Sequence, residues 1–117
     1  MKQPVSLDEL NAAHFAFKVR DVVRYSQPRG CWYVRGGARW TRCSEGELIR
    51  HAQRVAQHVE AVARKGSPDY KRREVLRRCA LRLQQPEGIS QMIAAARAVR
   101  FIQTDLFVEV ELPHHDV

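Results

Sequence analysis

Eight cations stand within nineteen residues: Arg64, Lys65, Lys71, Arg72, Arg73, Arg77, Arg78 and Arg82, opposed only by Asp69 and Glu74. Side chains of this type neutralise phosphate charge and release counterions, which gives affinity for nucleic acid without sequence choice. On a helix, Lys71, Arg78 and Arg82 fall at i, i+7 and i+11 as one stripe beside the apolar face, and Arg73 and Arg77 flank its other side. A second group, Trp32, Tyr33 and Trp40, offers rings on which unpaired bases stack, or which fill a core. A small hairpin needs to bury aromatics for its own stability, which favours the core for most of these rings.

Other chemistry is poorly served. Cys31, Cys43 and Cys79 are an odd number with no close pair, which speaks against a disulfide framework. The histidines give Cys31 and Cys43 no zinc-type spacing, so no metal and no cofactor are expected. His51 and His58, seven apart with no nucleophile nearby, read as surface or seam, and no paired carboxylates or Ser-His-Asp pattern suggests catalysis.

The elements that must position these residues follow from periodicity. Ser6 and Glu9 form a capping box ahead of a helix over 7–19, in which Phe15 and Phe17 cannot share one face. A short strand over 22–25 and the turn Gln27-Pro28-Arg29-Gly30 lead to a hairpin, 31–35 and 38–42, closed by Gly36-Gly37. That closure pairs Tyr33 with Trp40 and Trp32 with Thr41, so the two tryptophans point to opposite faces. A second capping box, Ser44 and Glu47, starts a helix to about Arg64 with Leu48, Ala52, Val55, Val59 and Val62 as its seam. Gly66 suits its C-terminal cap, Ser67 the next N-cap and Pro68 the first turn of a helix running to about Gln84. Its buried face is Leu76, Cys79, Ala80 and Leu83, and a last helix carries Ile89, Met92, Ile93, Ala96 and Val99 to about Arg100.

The expected architecture is therefore α+β: an N-terminal helix, a small Trp-rich antiparallel sheet, then a bundle of about three helices. Residues 1–100 form one domain. Residues 101–117 form an acidic, strand-like tail or the start of a linker, with Leu106, Val108, Val110 and Leu112 alternating with Phe107, Glu109 and Glu111. No apolar run approaches the ~20 residues that span a bilayer, and the N-terminus lacks the pattern of a secretory signal, so a cytoplasmic protein is expected. The net charge of +7 is polarised between the basic run and the acidic tail, which points to a polyanionic partner.

Several segments, in order, form a pattern: Leu10-Asn11-Ala12-Ala13-His14-Phe15, Val23-Arg24-Tyr25, Gly30-Cys31-Trp32-Tyr33-Val34 and Gly37-Ala38-Arg39-Trp40, followed by Arg82-Leu83-Gln84, Met92-Ile93 and Ala95-Ala96-Arg97. Over residues 7–100 the chain resembles the N-terminal helicase-associated domain of phage, plasmid and poxvirus primase–helicases. The resemblance implies a DNA replication module that precedes a helicase. It departs from the family where Arg35-Gly36-Gly37 replaces a usual Trp-Asp-Gly. The chain holds no Gly-x-x-x-x-Gly-Lys-Ser/Thr and no primase carboxylate cluster, so ATP hydrolysis is not carried over. The expected activity is non-catalytic, nonspecific binding of DNA or RNA through Lys71, Arg78 and Arg82, aided by Arg73, Arg77 and Arg72, with Trp32, Trp40 and Tyr33 as candidate stacking rings. The alternative is a protein-interaction or oligomerisation domain that forms a homodimer or recruits a helicase or primase.

Overall fold

The computed structural model describes residues 6–103. Helix α1 (Leu7–Val19) starts where Ser6 Oγ accepts from the Glu9 N–H at 3.1 Å and Glu9 Oε1 accepts from the Ser6 N–H at 3.0 Å. Both halves of the expected capping box are made. One face buries Asn11, Ala12, Phe15, Ala16 and Val19, while Phe17 is 55% exposed. Removing the Phe15 ring would cost about 3–5 kcal/mol, as for other fully buried aromatics.

Three antiparallel strands follow in the order β1 (Val23–Ser26), β2 (Cys31–Gly36), β3 (Arg39–Arg42). The hairpin register differs from the sequence expectation: Tyr33 pairs with Arg42, Val34 with Thr41, Arg35 with Trp40 and Gly36 with Arg39. The turn is Gly37-Ala38, not Gly36-Gly37. Only Gly37 takes a positive φ (64°), so the turn is of the primed kind that needs one glycine, at its first central position. Gly36 is thereby released to extend β2, and the Cys43 N–H donates to the Trp32 carbonyl oxygen at 2.8 Å beyond the last pair. Displacing the turn by one residue shifts partners by two, which leaves every side chain on its expected face. Trp32 therefore lies with Val23 and Tyr25 on the core side, where it meets Phe15 edge-on at 6.1 Å and Tyr25 at 5.0 Å.

Helix α2 (Glu45–Lys65) has its capping box at Ser44 and Glu47, buries Leu48, Ala52, Val55 and Val59, and ends at Gly66 with φ 82°. Helix α3 (Tyr70–Gln84) starts two residues later than Pro68, and its cap is Asp69 rather than Ser67. Asp69 Oδ1 accepts from the backbone N–H of Lys71 at 3.0 Å, whereas Ser67 Oγ accepts from the Asp69 N–H at 3.2 Å and so props the cap. Helix α4 (Gly88–Ala96) also stops short of the expected Arg100; a 3₁₀ turn at Arg100–Ile102 follows and buries Ile102. Gln103 then forms an isolated parallel bridge with Tyr25. The tail strand expected over 105–112 lies outside the described residues.

α1 is the hub. It packs on α4 most extensively and also on α2 and α3, while α2 and α3 pair with each other as the expected helical hairpin. Buried Asn11 ties α1 to α3 by donating from Nδ2 to the Cys79 carbonyl oxygen at 3.3 Å.

Candidate nucleic-acid interface

α3 turns Cys79, Ala80 and Leu83 inward, so its cations lie along the remaining circumference. They separate into two groups. Arg82 is engaged as a two-pronged fork: Nε donates to Asp8 Oδ1 at 2.8 Å and Nη2 to Asp8 Oδ2 at 3.2 Å, while Nη1 donates to Gln85 Oε1 at 2.7 Å. This fork tethers α3 to α1, an engagement across the fold that the sequence expectation for Arg82 did not include. Arg77 is ion-paired with Glu74, an attachment that holds the Glu74 carboxyl below its ordinary value and raises the guanidinium. Arg73 donates to the Ser67 carbonyl oxygen at 2.8 Å and sits over the Tyr70 ring at 5.5 Å.

Lys71, Arg72 and Arg78 form the second group. All three are exposed, and among the described residues their side chains make no ion pair or hydrogen bond. Lys71, Arg72 and Arg73 occupy the first turn of α3, where no acidic residue stands. That end of a helix is its positive pole, and cations there cost about 0.3–1 kcal/mol each, eased by Asp69 at the cap. α1 and α2 obey the opposite rule, with acids in the first turn and a base in the last.

Tyr70 completes the group and was not singled out by the sequence reading. It is 67% exposed, directly before the three consecutive cations. An aromatic abutting a basic run was the available signal. The rings named from sequence fare differently. Trp32 is 6% and Tyr33 0% exposed, so neither has a face on which a base could stack; Trp40 is half-buried. Core packing has taken the first two.

Among the described residues no cluster of three His, Cys, Asp or Glu side chains has the makings of a metal site, and no helix is long and apolar enough to cross a membrane. Burial and Glu47 push the Cys43 thiol up to about 11, against a smaller opposing effect of Arg50, and burial also raises Cys79. Neither thiol is set up as a nucleophile at neutral pH.

Comparison with known proteins gives one family. The family model described as D5 N terminal like matches residues 10–114. Searches of curated proteins and of solved structures returned no match.

Proposed function

Because the chain belongs to the D5 N terminal like family, the N-terminal domain of D5-like primase–helicases, we propose that it is a non-catalytic, cytoplasmic replication module of phage or plasmid type that holds nucleic acid next to a helicase. The observation that carries this reading is the unspent charge along the first nine residues of α3: Lys71, Arg72 and Arg78 exposed and unpaired among the described residues, with the largely exposed Tyr70, one face of its ring under Arg73, beside the first two. Phosphates engage the cations and a base stacks on the ring. Affinity of this kind is sequence-independent and salt-sensitive.

The test is the salt dependence of binding to oligonucleotides. Changing Lys71, Arg72 and Arg78 to Gln should weaken all sequences alike and flatten the plot of log K against log salt by up to ~0.9 per contact on duplex, or ~0.7 on single strands. Arg82→Gln should instead lower the melting temperature and leave that slope in place, because its fork is held by Asp8 and Gln85. Unchanged affinity and slope in the triple variant at low salt would refute the assignment.

A second reading, an interaction domain that assembles or recruits a helicase, is favoured by a different observation. A groove of about 380 Å³ between α2 and α4 is lined by Leu48, Ile49, Pro86, Ile89 and Ile93. A salt-insensitive complex of fixed stoichiometry, lost in Ile49→Asp, would support it over nucleic-acid binding.

A further inference from the structure

A cleft of about 350 Å³ lies between the C-terminal half of α1 and the middle of α2. Its floor is valine, and the four polar side chains that line it, Lys18, His51, Arg54 and His58, are all basic in type. No carboxylate lines it. Among the described residues Lys18 and Arg54 make no ion pair. Glu47, which acts on His51 from the same helix, is engaged in the capping box, where its Oε1 accepts from the Ser44 N–H at 3.3 Å. His58 stacks on His14 at 5.5 Å between nearly parallel rings. His14 in turn lines a neighbouring cleft that reaches Val75 and Leu76 of α3. The two clefts are separate but adjoin at the His14–His58 pair, and the second, mostly apolar, reaches the helix that carries the unpaired cations. Along α2 the residues that line the two clefts, from Val62 to His51, span about 16 Å at ~1.5 Å per residue.

We infer that the Lys18–Arg54 cleft is a second phosphate site, which receives the backbone of the nucleic acid that crosses α3 and takes up a proton on His51 as the strand seats. This rests on the α3 reading, since it extends the same strand. Lys18 and Arg54 supply permanent charge, and His51 supplies charge that depends on pH. Burial, followed by Arg54, holds the His51 imidazole below its ordinary value, with a smaller contribution from Arg50 and a partial offset from Glu47. His14 is lowered as well, by burial, His58 and Lys18. A phosphate in the cleft reverses the local balance and favours the imidazolium. The pKa in the bound state then exceeds that in the free state. Affinity therefore rises as pH falls through the bound-state value, and the gain is complete once pH is below the free value, itself under 6.5. The steepest linkage is about tenfold in affinity per pH unit for each proton taken up.

The experiment is anisotropy of labelled oligo(dT) with the whole chain from pH 8 to pH 5.5 at constant low salt, with dTMP and inorganic phosphate as competitors. The wild type should bind more tightly as pH falls. H51Q/H58Q should lose most of that increase, whereas the α3 triple variant should bind more weakly throughout and keep the pH slope. Proton NMR of the wild type checks the same point without substitution: oligo(dT) should raise the titration midpoint of the His51 ring. A pH-independent wild type, or an unaltered slope in H51Q/H58Q, overturns the cleft and leaves the α3 reading standing. Competition by free phosphate at concentrations as low as those of oligo(dT) overturns the backbone assignment. Absence of oligo(dT) binding at every pH overturns both.

Discussion

Tyr70 and Gly88 carry the sharpest residue-scale predictions because each is needed for a reason that no neighbour shares. Tyr70 contributes nothing to the core, so Tyr70→Ala should leave the melting temperature nearly unchanged, yet weaken single-stranded binding by about 1–3 kcal/mol if a base stacks there. Equal affinities for the two proteins would remove the ring from the interface. Gly88 stands where the chain reverses from α3 into α4, and a Cβ there would clash with the Arg82 carbonyl oxygen and come within 2.8 Å of Leu83 Cα. These are backbone atoms, which cannot swing aside. Gly88→Ala should therefore cost about 1–3 kcal/mol, as overpacking does, visible as a fall in the midpoint of urea unfolding. An unchanged midpoint would mean that the turn rearranges freely.

At the scale of elements, the helices were legible because their signals are local. Two capping boxes, the Gly66 stop and the seam of α2 all lie within a turn or two of the residues they organise. The hairpin faces were legible for the same reason, since alternation survives a turn displaced by one residue. The turn itself was misplaced because Gly36-Gly37 offers two glycines where the backbone requires only one positive φ, and the extra strand pairing decides between them. α3 shows the limit more clearly. Its basic run was plain in the sequence, but which cations are spent was not, because Asp8 and Arg82 meet across 74 residues. Likewise Trp32 and Tyr33 lie on opposite faces of β2 and are both buried, so alternation alone overstated what the sheet exposes. The polar cleft between α1 and α2 was also hidden, since Lys18 joins His51 and Arg54 only when the helices pack.

For the whole molecule, α1 joins the sheet to the helical bundle, with Phe15 against Trp32 on one side and α2, α3 and α4 on the others. The unpaired cations of α3 are borne on a helical hairpin whose register is set by buried contacts, so they are held in place without needing to contribute to the fold. Under the proposed function this would let the domain hold a polyanion while remaining folded without it. Its most direct test is to map the contact itself, by following backbone amide chemical shifts of the whole chain as oligo(dT) is added at low salt. The largest changes should fall on residues 70–78, with smaller ones around Lys18, His51 and Arg54, and added salt should reverse both. Changes centred on the outer strands or on the α2–α4 groove, with residues 70–78 unmoved, would contradict this assignment.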